Sequence, residues 1–162
     1  MASNLQFIKS ESGDAVSSFT IEDIFSAKYN VYQIYVLGNG SQGTSSITFE
    51  FLDSSDADIA QGAYDYALLR CYNGSGFDDI YGADANSVEF AYTSSTDHDF
   101  AAVITVYDPF SSSTYTHCTF ESMSSAAEKG IFTATSSTSA VSMKFYANQN
   151  FTPIKVSAYG VL

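Results

Sequence analysis

At 162 residues, with 45% hydrophobic and 15% charged side chains, the chain reads as one globular domain spanning residues 1–162. A fold of this size buries roughly 68–70% of its unfolded surface and needs no disulfide or metal for stability. Its 12 Tyr and 13 Phe exclude a disordered segment, and 2 Pro with 10 Gly exclude a collagen-like or Pro-rich one. Eighteen acidic against six scattered basic residues give a net charge of −12, a balance that repels phosphate and excludes nucleic acid and anionic membranes as partners.

The opening, MASNLQFIKSESGD, has no basic stretch followed by an apolar core, so it is expected not to be a secretory signal, and synthesis in a cytoplasm is the expectation. No apolar run approaches the ~20 residues of a membrane-spanning helix. Leu5 and Phe7 alternate and can start a strand. Residues 1–12 are expected as an extended N-terminal arm that reaches a neighbour and is dispensable for folding. Phe19 and Ile21 alternate next, and Glu22 to Phe25 has the spacing of a single helical turn capped by Thr20.

Residues 29–53, YNVYQIYVLGNGSQGTSSITFEFLD, hold the clearest pattern. Tyr32, Ile34 and Val36 share one face, as do Ile47, Phe49 and Phe51, and the loop between them is glycine-rich; this predicts two half-buried strands joined as a hairpin. In residues 64–72, Tyr66, Leu68 and Arg70 alternate against Ala67, Leu69 and Cys71. Asn73-Gly74-Ser75-Gly76 marks a turn, because Asn and Gly tolerate positive φ. Residues 77–86 read as a long exposed loop, and Val88, Phe90 and Tyr92 as one face of a strand.

Residues 100–107, FAAVITVY, are nearly all apolar, as in a central strand buried on both faces. Asp108-Pro109 stops this run. Residues 113–121 form a strand, and residues 122–130 a connection with one helical turn. Strands at 130–135, 140–147 and 152–159 follow. No stretch keeps a 3.6-residue apolar period. The expectation is an all-β fold: an antiparallel β-sandwich of jelly-roll type with about nine to eleven short strands.

Residues that could carry chemistry each have a plainer role. Gly38-Asn-Gly40-Ser-Gln-Gly43 matches G-x-G-x-x-G, but a strand-like segment follows where a dinucleotide fold needs a helix, so it reads as a loop. His98 lies between Asp97 and Asp99, which favours its protonated form in a solvated loop. His117 and Cys118 point to opposite faces of a strand, and no third group orients a nucleophilic pair. Asp53, Asp56 and Asp58 offer oxygen ligands without the EF-hand Gly and distal Glu, and Asp78, Asp79 and Asp84 resemble them. Cys71 and Cys118 read as reduced, buried thiols, with a bridge between adjacent strands left open. The sequons at Asn39 and Asn73 read as turn residues. No catalytic, cofactor-binding or metal-ligating residue is assigned, and the expectation is a protein that is not an enzyme and holds no cofactor. The Tyr residues are too many for the core alone, and their amphipathic rings suit protein interfaces or sugar stacking.

Several segments together resemble small β-sandwich virion structural proteins of tailed bacteriophages, notably those of marine cyanobacterial phages. They are FSAKYNVYQI (residues 25–34), ITFEFLD (47–53), AYDYA (63–67), YDPFSS (107–112) and the ending IKVSAYGVL (154–162). The resemblance implies a jelly-roll virion component that binds other virion proteins and carries no catalytic residues. Two roles follow from it: a capsid decoration or accessory head protein on the major capsid lattice, often a homotrimer, or a tail-fibre or receptor-binding tip that recognises host glycans. A chain opening directly on strand material, without heptads, favours the first. A non-viral carbohydrate-binding module is the outside alternative.

Overall fold

The computed structural model describes residues 4–40, 45–72, 74, 76–94 and 99–162. Among them eleven strands carry the fold: β1 (Leu5–Gly13), β2 (Val16–Ile21), β3 (Val31–Gly40), β4 (Ser45–Leu52), β5 (Tyr64–Tyr72), β6 (Gly76–Ala85), β7 (Val88–Thr93), β8 (Asp99–Tyr107), β9 (Thr116–Met123), β10 (Ala126–Ala134) and β11 (Ser142–Val161). Among the described residues every strand pairing is antiparallel. The path runs β6-β5-β10-β9-β8-β3-β11-β4-β7, with β1 and β2 also on β11. This is the all-β, jelly-roll-type sandwich that the alternating runs predict.

The long strand β11 organises the sandwich. Its first part, up to Ala147, pairs with β2 and β4; its second, from Ile154, pairs with β1 and β3. The register shifts between these parts, around Phe151 and Pro153, where Pro supplies no N–H to a ladder. The chain thereby turns from a small sheet, β2-β11-β4-β7, into a large one, β6-β5-β10-β9-β8-β3-β11-β1. Two strands expected at 140–147 and 152–159 are thus one continuous element.

The core lies between the sheets. Tyr32, Ile34 and Val36 of β3 and Ile47, Phe49 and Phe51 of β4 are all fully buried, on the faces that alternation assigns them. They do not form a hairpin, however: β3 lies in the large sheet and β4 in the small one, with β11 paired to both. Phe49 meets Phe132 of the opposite sheet edge-on at 5.0 Å, Phe51 meets it at 5.6 Å, and Phe90 meets Phe100 at 6.2 Å. Aromatic pairs in such geometry add about 0.5–1.5 kcal/mol each beyond their area. Close backbone approach makes room for these rings: a Cβ on Gly160 would lie 2.4 Å from the Tyr29 ring, and one on Gly38 2.6 Å from Phe100.

Several expectations need correction. Leu5–Gly13 is not an arm but a strand, paired along its length with the end of β11. Residues 22–25 form no helical turn; Asp23 has φ 56°, and the amides of Ile24 and Phe25 both donate to the Val141 carbonyl. The loop expected at 77–86 is β6, hydrogen-bonded to β5, and the connection expected at 122–130 is a tight hairpin between β9 and β10. Cys71 is exposed on the outer face of the large sheet and Cys118 buried on the inner, both as free thiols; side chains on opposite faces of one sheet cannot bridge.

Candidate interaction surface

Pairing register aligns residues of like phase into rows across the outer face of the large sheet. One row reads, from β3 to β6, Leu37, Ala101, Met123, Ala127, Cys71 and Phe77. The next reads Tyr35, Val103, Glu121, Lys129, Leu69 and Asp79. A third reads Gln33, Thr105, Thr119, Ile131, Ala67 and Tyr81. The first is apolar from end to end. Met123 is 68% exposed, Ile131 61% and Leu37 56%, so this face lies open along most of its width.

Charge is scarce and balanced here. In these rows the charged groups are Glu121, Lys129 and Asp79, with Lys155 beside Leu37 on β11. Two acids and two bases cancel, on a chain whose total is −12. Lys129 Nζ lies 2.5 Å from Glu121 Oε1, directly across the β9–β10 ladder. A groove of about 520 Å³ crosses the first two rows, lined by Leu37, Leu69, Cys71, Ala101 and Met123. A second, of about 570 Å³, continues it past Asn39 and Pro153. Strand β8 explains why the sequence reads as buried on both faces: its outward residues Ala101, Val103 and Tyr107 are those of an interior strand, yet here they border solvent.

Among the described residues the inner face holds one ionic centre. Arg70 of β5 donates from Nε to Glu128 Oε1 of β10 at 2.6 Å and from Nη2 to Glu89 Oε1 of β7, in the opposite sheet. Its guanidinium also lies 4.3 Å from the Tyr92 ring centre. Among the described residues Glu128 Oε2 has no hydrogen-bond partner, nor has the Oγ of Ser122, its neighbour in register. Burial pushes the Glu128 carboxyl above the usual carboxylate range, while the hydrogen bond and charge of Arg70 pull it down. The cluster joins the two sheets and is buried between them. Alternation had placed Arg70 in phase with Leu68; the paired Glu128 is in phase with Phe132, which is the signal that would have found the cluster.

Residues singled out from the sequence are dispersed. His117 is exposed and its Nδ1 lies 3.0 Å from Thr133 Oγ1, on the face opposite Cys118, whose thiol is pushed well up by burial. Asp53 Oδ1 accepts from Ser55 N, Ser55 Oγ and Ala57 N, contacts that hold its carboxyl below the usual range. Asp58 accepts from the buried Tyr64 hydroxyl at 2.7 Å. Both carboxylates therefore shape a turn. Among the described residues no three His, Cys, Asp or Glu side chains form a group able to hold a metal. Gly38 and Gly40 are strand residues of β3. Asn39 donates to Asp99 at 2.8 Å. Gly43, Asn73, Asp97 and His98 lie outside the described residues.

No family model matches the sequence, and no curated protein does. Among solved structures the chain is similar to exo-inulinase from Aspergillus awamori, at 11% identity and a TM-score of 0.40, over 98% of this chain and 29% of that one. It is also similar to an alginate lyase, Aly36B, in complex with an alginate tetrasaccharide, at 8% identity and a TM-score of 0.26, over 83% and 70% of the two chains. A third similarity is to the infectious bursal disease virus VP2 subviral particle, at 9% and 0.20, over 95% and 41%. The chain thus spans less than a third of the inulinase. At these scores the likenesses carry no argument about activity.

Proposed function

We propose that this chain is a structural protein of a tailed-phage virion, acting as a capsid decoration or accessory head protein that is made in the host cytoplasm and binds other virion proteins. The virion assignment rests on the sequence resemblance across residues 25–162. The single observation that supports a protein-contact role is the outer face of the large sheet, apolar in one complete row and neutral on a strongly acidic chain. Interface cores have this character: charged residues are depleted while Met, aromatic and aliphatic side chains remain. Isolated exposed apolar residues are ordinary on a monomer, but a contiguous patch of them marks a contact site. Quantitative mass spectrometry of purified particles tests the proposal. The expected result is a copy number in the hundreds per virion, retained by empty heads; absence from particles overturns it.

A second reading has its own observation. Phe77 and Tyr81, 74% and 78% exposed, project from β6 at the edge of the large sheet, and open aromatic rings suit sugar stacking. A receptor-binding tip would show a few copies per particle and binding on a glycan array that Phe77→Ala and Tyr81→Ala abolish.

A further inference from the structure

We infer that the outer face of the large sheet is the seat of a two-fold contact with a second copy of this chain; the inference rests on the protein-contact reading above and names a second copy, rather than another virion protein, as what covers this face. The apolar row spans six of the large sheet's eight strands, β6-β5-β10-β9-β8-β3, and its midpoint lies between β10 and β9; β11 and β1 lie beyond its Leu37 end. A two-fold axis lying in the contact plane, parallel to the strands and above that midpoint, lays β10 of one copy over β9 of the other. This is the isologous arrangement in which one patch serves both partners.

The side chains at the midpoint complement themselves under that operation. Glu121 and Lys129 are directly opposite each other across the ladder, so each copy's Lys129 comes over the other's Glu121. The contact closes with two further charge pairs and no like-charge juxtaposition, which would cost affinity. In the adjacent apolar row the same operation sets Met123, a large exposed side chain beside the axis, over Ala127, one of the smallest. Large against small is how two faces interdigitate at interior density.

The area is sufficient. Six strands about 4.8 Å apart and three rows two residues apart give a footprint of about 30 Å by 20 Å once side chains are included, or about 600 Å² per copy in flat projection. Stable interfaces start near 600 Å² per partner and centre on about 800 Å². Long-range repulsion between two acidic chains favours placing the contact on a face with no net charge, because unlike surfaces elsewhere on the molecule it adds nothing to that repulsion. The interior-like sequence of β8 is accounted for as well, since in the pair its outward residues are covered.

Light scattering and sedimentation of the full chain, across micromolar to submillimolar concentrations, test this directly. The expected species has twice the 17.5 kDa chain mass. Glu121→Lys or Lys129→Glu alone gathers four like charges at the axis and is expected to weaken the dimer at least about tenfold. The double swap Glu121→Lys/Lys129→Glu restores it to within about threefold, because each reversed charge again meets its opposite. Met123→Asp yields monomer. All four side chains changed or flanking here are exposed, so unaltered circular dichroism and melting show that folding is intact. A monomer or a trimer at every concentration overturns the inference, as does failure of the double swap to restore the pair. A monomeric chain that still enters virions, and that Met123→Asp expels from them, also overturns it while leaving the virion role standing. A dimer absent from particles supports the contact and refutes the virion role.

Discussion

Replacing Arg70 with Met isolates the energetics of the ionic cluster between the sheets. The Glu128 side chain has no exposed surface, and Arg70 supplies the hydrogen-bond partner of its Oε1, while Oε2 has none among the described residues. Met keeps the length and apolar stem of Arg but leaves Glu128 uncompensated. Removing one member of a buried pair costs about 3–5 kcal/mol, a large part of the 5–15 kcal/mol of an ordinary domain. The cost depends on pH with a definite sign. Burial already holds Glu128 above its ordinary value of 4.5, and loss of Arg70 removes the interactions that lower it. A carboxyl raised in the folded state gives stability that is fully present below its unfolded pKa and lost as pH rises through the folded one. The variant is therefore weakest relative to the parent at neutral pH and above, and the difference shrinks as pH falls toward 4.5. Urea unfolding followed by tyrosine fluorescence, undisturbed because the chain has no Trp, measures both. Arg70→Met/Glu128→Leu removes both charges and is expected to recover most of the loss, since apolar replacements of buried pairs are often neutral. A loss below about 1 kcal/mol, or one equal at both pH values, refutes the reasoning.

Three further perturbations probe the frame. Tyr64→Phe deletes a hydroxyl that donates to Asp58 and accepts from the Phe51 amide, leaving that buried donor alone; a loss of about 1–3 kcal/mol is expected in the same urea assay. Gly160→Ala forces a methyl into the Tyr29 ring and should cost about 1–3 kcal/mol, with Tyr29→Ala/Gly160→Ala showing no additional clash. Deleting residues 1–13 strips β1 from β11 and exposes a sheet edge; from ladder hydrogen bonds worth about 0.5–1.5 kcal/mol each, a loss of about 2–5 kcal/mol is expected, and an unchanged melting temperature would show β1 to be the arm its composition suggests.

Alternation was a good guide to faces and a poor one to partners. Tyr32, Ile34 and Val36, with Ile47, Phe49 and Phe51, announced the core because side-chain phase depends only on local geometry. Their placement in different sheets did not follow, since pairing is decided by β11, more than ninety residues later in the chain. Strand β6 was hidden by Asp78, Asp79 and Asp84, which an edge strand tolerates because solvent takes one side of it. The unity of β11 was hidden by Asn148, Gln149 and Asn150, exposed residues at the turn from one sheet to the other. Hardest to read was the outer face. Ala101, Val103 and Tyr107 were legible as apolar, and only the register of β5, β10, β9, β8 and β3 gathers them with Leu37, Met123 and Leu69 into one surface. The run FAAVITVY nonetheless carried the signal: it reads as covered on both sides, and the isolated chain covers only one.

Cys71 lies in the apolar row of that surface, with Cys118 as an internal control on the buried side. The most direct test compares maleimide labelling of Cys71 in purified particles with labelling of the free chain at high dilution. A covered face predicts labelling at least about tenfold slower in particles, as when a tenth or less of the sites are open, with Cys118 reacting in neither until the chain unfolds. Equal rates at Cys71 in the two samples would contradict the assignment of this face as the contact surface.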